Sequence, residues 1–237
     1  MKLAVMSDVH GRLEAYDAAL ADAEANGVDK IVCLGDLIGG GGANPVECVE
    51  RTVELRERGK LEACVLGNSD RLDLAQFGLG DRDEAVFWSR ERLEAELPEK
   101  ATARWDFFSE AFRAYKKGGF LFVHGSPNGP RDEPVYAAAA DDVAQMEKLF
   151  ALTPRYCFLG HTHVPGVFVA EQDGSYRYVS AAELKERGSV FPLDERKMMV
   201  NVGSVGEPRD ESGACYVIVR YDENGADNEI EYRFIEF

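Results

Sequence analysis

The chain is poor in histidine, with four among 237 residues, and poor in basic charge, with 27 lysines and arginines against 43 aspartates and glutamates. The resulting net charge of −16 repels nucleic-acid backbones and anionic lipid, so no extended nucleic-acid binding is expected. No apolar run approaches the roughly 20 residues a membrane-spanning helix needs, so no membrane partner is expected either. The five cysteines are odd in number and form no CxxC pair. Cys33, Cys64, Cys157 and Cys215 fall inside apolar runs, where cysteine acts as a small core residue. Met1–Met6 leads straight into Ser7-Asp8 without the segments of a secretory signal, and a reduced, cytoplasmic location is the expectation.

What is present is an ordinary globular composition, 45% hydrophobic and 10% aromatic, long enough for a sizeable core. Short apolar runs at Leu3–Met6, Lys30–Leu34 and Glu62–Leu66 read as buried strands. Between them, Leu13–Asn26 and Pro45–Arg58 carry helical periodicity and stop at Gly27 and Gly59. A strand–helix–strand–helix–strand series implies an α/β start with parallel strands. Asp83–Leu97 and Thr102–Tyr115 read as amphipathic helices within an insertion at about 71–117, which could cap a cleft or extend the core. Its aromatics, Phe87, Trp88, Trp105, Phe107, Phe108 and Phe112, could form a satellite cluster. Strands return at Phe120–Val123 and Tyr156–Leu159. From Gly166 onward, short strands alternate with turns such as Gln172-Asp173-Gly174 and Glu223-Asn224-Gly225. No repeat or linker divides the chain, so 1–237 reads as one domain.

The four histidines all follow strand-like runs. Asp8 and His10, Asp36, Asn68, His124, and His161 with His163 occupy five successive strand-to-loop junctions. In open α/β sheets such junctions gather ligands. In extended chain, residues two apart face one side, which would aim Asp8 with His10, and His161 with His163, into one cavity. Seven donors exceed what one tetrahedral ion requires. They suffice for two divalent ions sharing a carboxylate, and imidazole, carboxylate and amide together suit Mn, Fe, Zn, Co or Ni better than Ca.

These segments resemble the five ordered motifs of the calcineurin-like metallophosphoesterases: Asp8-Val9-His10, Gly35-Asp36, Gly67-Asn68-Ser69-Asp70, His124, and Gly160-His161-Thr162-His163. Asn201–Arg209, reading Asn-Val-Gly-Ser-Val-Gly-Glu-Pro-Arg, is similar to a tail segment of the bacterial branch related to diadenosine tetraphosphatases and predicted phosphodiesterases. The resemblance implies a four-layer αββα sandwich, two mixed β-sheets flanked by helices. It implies one ion held by Asp8, His10, Asp36 and His163, and a second by Asp36, Asn68, His124 and His161, with Asp36 bridging. It implies an enzyme, a phosphoesterase in which a metal-bridging hydroxide attacks phosphorus in line.

One position departs from that pattern. Ser69 stands where many relatives carry the histidine thought to protonate the leaving group, so Asp70 keeps its place without its usual partner. A serine hydroxyl is too weak an acid for that task at neutral pH. The expected substrates are therefore small phosphodiesters or pyrophosphate-linked dinucleotides, whose leaving groups need protonation least. Asp70 and Asn68 stand as candidate catalytic residues, and Arg71, Arg131 and Arg209 as candidate binders of a distal phosphate. The glycine-rich loop Gly39–Gly42 lacks the lysine of a P-loop and reads by default as a flexible loop. Two alternatives stay open: a phosphoprotein or phosphomonoester phosphatase, against which Gly35-Asp36-Leu37 lacks an Asp-Arg-Gly continuation, and a catalytically silent metal-binding scaffold.

Overall fold

The structure, a computed structural model, describes residues 1–70, 84–95, 97–222 and 228–237. Strands β1 (Lys2–Met6), β2 (Lys30–Cys33) and β3 (Leu61–Cys64) pair in parallel, with helices α1 (Leu13–Ala25) and α2 (Pro45–Glu57) as the crossovers. Helices α3 (Glu84–Glu94) and α4 (Pro98–Glu110) follow, then strands β4 (Tyr115–Lys117) and β5 (Phe120–Phe122). Helix α5 (Val143–Leu152) leads into β6 (Tyr156–Leu159), β7 (Gly166–Ala170) and β8 (Tyr176–Ser180). Helix α6 (Ala181–Glu186) precedes β9 (Val190–Pro192), β10 (Met198–Asn201), β11 (Cys215–Arg220) and β12 (Glu229–Phe234).

The strands form two mixed six-stranded sheets, ordered β3-β2-β1-β11-β12-β9 and β4-β5-β6-β10-β7-β8. Side-chain alternation explains how the layers stack, because successive residues of a strand face opposite sides. From β1, Leu3 and Val5 enter a core shared with Phe120, Phe122, Phe158, Val200 and Val217, which lies between the sheets. Their neighbours Ala4 and Met6 instead meet Ala15, Tyr16 and Ala19 of α1 and Val49 of α2 on the outer face. In the second sheet, Leu121, Cys157 and Met199 point outward to Met146, Leu149 and Phe150 of α5. Both faces of both sheets are thus covered, and the expected four-layer αββα sandwich is the fold. All five cysteines are buried and unpaired, Cys48 included.

Two local expectations need correction. Residues 102–115 do not form one helix: α4 ends at Glu110, and Tyr115 opens β4. The cause is backbone pairing, since Phe112 donates to the Cys64 carbonyl and accepts from Leu66, drawing the chain onto the edge beside β3. The aromatics do not gather in one satellite cluster either. Phe107 and Phe108 join the core beneath the first sheet, Phe112 packs against Tyr115 with ring centroids 5.1 Å apart and planes tilted by 44°, and Phe87 is exposed. Residues 71–83, Glu96 and the expected turn at Glu223-Asn224-Gly225 lie outside the described residues.

Tyr232 ties the layers together. From β12 in the first sheet, its buried hydroxyl donates toward two carbonyls of the second, Asn201 at 2.7 Å and Gly166 at 3.0 Å. Tyr232→Phe keeps the ring and removes that link. Urea denaturation is expected to register a loss of about 1–2 kcal/mol.

Candidate metal centre

Beyond the carboxyl end of β1, the chain does not continue as strand. Asp8, His10, Asp36, His161 and His163 all have positive φ, between 51° and 65°. Ser189 is the other such non-glycine residue among the described residues. Left-handed backbone costs an L-residue about 1–2 kcal/mol, so five such residues store a strain comparable to the whole stability of a domain. Strain of that size persists where the surroundings over-determine it and clusters at functional sites. Asp8 with His10, and His161 with His163, do converge. The cause is the left-handed turn at each residue, not the two-residue alternation of an extended strand.

Backbone bonds hold these turns. Asp8, His10 and Gly11 donate to the carbonyls of Gly35, Asp36 and Leu37, at 3.0, 2.9 and 2.9 Å. The Asp36 and Asn68 loops interlock so closely that a Cβ at Gly35 would lie 2.2 Å from the Gly67 nitrogen, and one at Gly67 only 2.0 Å from Asp36 Oδ1. Both positions must therefore be glycine. Segment 201–207 braces the other side: the Ser204 hydroxyl donates to the Asp8 carbonyl (2.9 Å), and Asn201 Nδ2 donates to the Gly160 carbonyl and Thr162 Oγ1.

These supports bring the predicted donors together. His10 Nε2 lies 3.2 Å from His163 Nε2, and His163 Nε2 lies 3.2 Å from Asp8 Oδ1. Asp36 Oδ2 stands 3.6 Å from both His10 Nε2 and His124 Nε2, midway between two groups of ligands. On the far side, His124 Nε2 lies 3.0 Å from Asn68 Oδ1 and 3.1 Å from His161 Nδ1. Asp8, His10 and His163 form one buried trio able to hold an ion, and Asp8, Asp36 and His124 another.

Hydrogen bonds at the back of the rings decide which atoms face the cavity. His163 Nδ1 donates to the Glu207 carbonyl (2.5 Å) and His124 Nδ1 to the Leu34 carbonyl (3.1 Å). A carbonyl only accepts, so the neutral rings turn their Nε2 lone pairs inward, the arrangement usual for metal-bound histidine. His124 Nε2 and Asn68 Oδ1 are then both acceptors at 3.0 Å. Asp8 Oδ1 is buried beside His163 Nε2 without any hydrogen bond, and His10 Nδ1 is likewise buried and unpaired. Lone pairs packed this closely repel one another unless positive charge lies among them. Imidazole, carboxylate and amide oxygen suit divalent first-row transition ions, so the residues fit the expected metals.

The electrostatics follow from the same crowding. Burial works to raise the Asp8 carboxyl, but His124, His163 and His10 hold it far below the usual range. Burial, with His124 beside it, pushes the His161 imidazole down. For His163 burial also lowers the value, yet Asp8 and the Glu207 carbonyl raise it on balance.

The remaining predicted residues divide. Asp70 is fully buried beneath the Asp36 loop: its carboxylate accepts from the backbone N–H of Asp36 (2.6 Å), Leu37 (2.9 Å), Gly67 (3.1 Å) and Ile38 (3.3 Å). Burial and the nearby Asp36 charge push it up to about 7, against the pull of those donors. Ser69 is turned inward, donating from its backbone and its hydroxyl to the two oxygens of Asp36. Arg131 pairs with Asp132 at 3.1 Å. Arg209 is exposed next to the centre, its backbone N–H reaching the His163 carbonyl at 3.4 Å. Arg71 lies outside the described residues.

The loop Gly39–Gly42 is tied down. Gly39 donates to Ser89 Oγ, Gly41 to the Glu207 carboxylate and Gly42 to the His10 carbonyl. Its glycines serve close packing, since a Cβ at Gly40 would lie 2.8 Å from that of His10. Two contributors escaped the sequence reading. Glu207 orients His163 through its carbonyl and the glycine loop through its carboxylate. The exposed Arg12, two residues after His10, rests against Gly41. A basic residue so soon after a candidate ligand was the available signal for Arg12, and the family-like segment Asn201–Arg209 was the signal for Glu207.

Residues 1–224 match the family profile described as the calcineurin-like phosphoesterase superfamily domain. An uncharacterized protein of Methanocaldococcus jannaschii is 32% identical over 213 residues, 88% of this chain and 77% of that protein. Among solved structures, a metallophosphoesterase from Sphaerobacter thermophilus superposes with a TM-score of 0.72 at 28% identity, over 100% of this chain and 89% of that one. A hypothetical protein of Pyrococcus horikoshii has the same fold, with a TM-score of 0.70 at 16% identity over 100% and 88%.

Asp70→Ala would strand several buried N–H donors of the Asp36 and Gly67 loops. Each costs about 1–3 kcal/mol when left unpaired and dry, so thermal or urea unfolding is expected to show a loss of roughly 3 kcal/mol or more. A loss below about 1 kcal/mol would mean that Asp70 does not hold these loops.

Proposed function

The chain belongs to the calcineurin-like phosphoesterase superfamily, and we propose that it is a two-metal phosphoesterase acting on small phosphodiesters or pyrophosphate-linked nucleotides. The observation that carries this reading is the pair of facing donor groups with Asp36 Oδ2 3.6 Å from a histidine of each. In this reading Asp8, His10, Asp36 and His163 hold one ion, and Asp36, Asn68, His124 and His161 the other. When bound, two divalent ions would supply an activated water and neutralise charge on the phosphoryl oxygens.

The residues of the chain supply position and charge. Asp8 and Asp36 contribute two negative charges, while His124 and His163, oriented by the carbonyls of Leu34 and Glu207, would add none as metal ligands. A site carrying two dications therefore keeps net positive charge despite the acidic surface, and attracts phosphate. In this reading Arg209 and Arg12, both exposed beside the centre, would contact outer phosphate oxygens or a second phosphate. Asp70 acts through the backbone it holds and not on substrate.

No side chain at position 69 is free to protonate a leaving group, because the Ser69 hydroxyl is engaged with Asp36. A departing alkoxide needs such a proton, whereas a nucleotide phosphate or aryl oxide leaves without one. That preference separates anhydrides and activated diesters, whose leaving groups are stable anions, from alkyl monoesters.

The test is a hydrolysis panel with bound metal measured in parallel. The chelator-treated protein is expected to be inactive, and manganese to restore turnover. An activated diester or a dinucleoside polyphosphate should exceed an alkyl monoester by at least about tenfold in kcat/KM. Equal turnover of the alkyl monoester would refute the leaving-group argument. Two bound ions without turnover of any phosphate ester would favour a silent metal-binding scaffold.

A further inference from the structure

We propose that Ser69 is a positioning residue whose single hydroxyl sets the orientation of two metal ligands, Asp36 and Asn68. The proposal rests on the two-metal reading of the site and goes beyond it by giving a task to the residue that replaces the family's histidine.

The geometry is specific. Asp36 is clamped at both oxygens by one residue: the Ser69 backbone N–H donates to Oδ1 at 2.7 Å and the hydroxyl to Oδ2 at 3.0 Å. A carboxylate with one donor can pivot about it; with two donors from one rigid turn its plane is fixed. Each oxygen still keeps a lone pair, and Oδ2 is the atom lying 3.6 Å from His10 and from His124.

The same hydroxyl accepts from Asn68 Nδ2 at 3.4 Å. An amide has two ends of nearly equal shape, and a flip would exchange a ligating oxygen for a useless nitrogen. With Nδ2 drawn toward Ser69, Oδ1 is directed to the cavity, 3.0 Å from His124 Nε2. A hydroxyl can accept from Asn68 and donate to Asp36 at once, which neither alanine nor a purely accepting group can do.

Local space keeps the hydroxyl in place. Ser69 is buried, and a Cβ built at Gly39 would lie 2.9 Å from its Cβ and 3.2 Å from Val86 of α3. Gly39 thus packs closely against the Ser69 side chain, which any larger residue at 39 would displace. The serine is therefore held where it contacts both Asp36 and Asn68.

The test is calorimetric titration of manganese into metal-free wild type, Ser69→Ala and Ser69→Thr, with electron paramagnetic resonance of the loaded proteins. Wild type should bind two ions with spin coupling between them. Ser69→Ala should bind at least one ion about 10- to 100-fold more weakly, the usual penalty for losing an outer partner of a ligand, and its coupling should change. Ser69→Thr keeps the hydroxyl and should recover most of the affinity. Isotherms and spectra of Ser69→Ala that superimpose on wild type would overturn the proposal. Equal losses in the alanine and threonine variants would overturn it too, because packing and not the hydroxyl would then matter. Wild type that binds no manganese would instead overturn the two-metal reading beneath it.

Discussion

Lone pairs forced together in a largely buried cleft are the constraint on which the rest of this molecule depends. Histidine nitrogens, two carboxylates and an amide oxygen stand 3.0–3.7 Å apart. Such an arrangement repels itself, and the fold holds it nonetheless. Five of the residues occupy left-handed backbone, so the chain accepts local strain as well as electrostatic crowding. Cations would relieve the second of these costs, which is why the arrangement reads as a metal centre and not as a satisfied polar core.

The layers exist to supply rigid edges for that cleft. The first sheet contributes the Asp8, Asp36 and Asn68 loops from the ends of β1, β2 and β3. The second contributes the His124 and His161–His163 loops from the ends of β5 and β6. A core between the sheets, tied by the Tyr232 hydroxyl, fixes one set of loops against the other. Asp70, Ser204 and Asn201 then carry that rigidity into the loops by bonding backbone.

Much of this was legible in the chain. Asp8, His10, Asp36, Asn68, His124, His161 and His163 each follow an apolar run, and a strand end is visible in sequence as a change from apolar to polar. The α/β start and β-rich end were visible for the same reason. Other features were not. The turns at Asp8 and His163 are left-handed because of bonds to chain 27 or more residues away, such as Asp8 to Gly35, which no local pattern records. The end of α4 at Glu110 is set by pairing of Phe112 with the edge beside β3, overriding a periodicity that runs on to Tyr115. Ser69 looked like a lost catalytic group, because its partner Asp36 lies 33 positions earlier.

Activity assays speak to the chemistry, but the location of the ions speaks to the central claim. Anomalous diffraction from manganese-soaked crystals would locate them. Two peaks are expected, about 3.5–4 Å apart, flanking the Asp36 carboxylate. One should sit beside Asp8, His10 and His163, the other beside Asn68, His124 and His161. A single peak, or peaks away from Asp36, would show that these seven side chains do not form a shared dinuclear site.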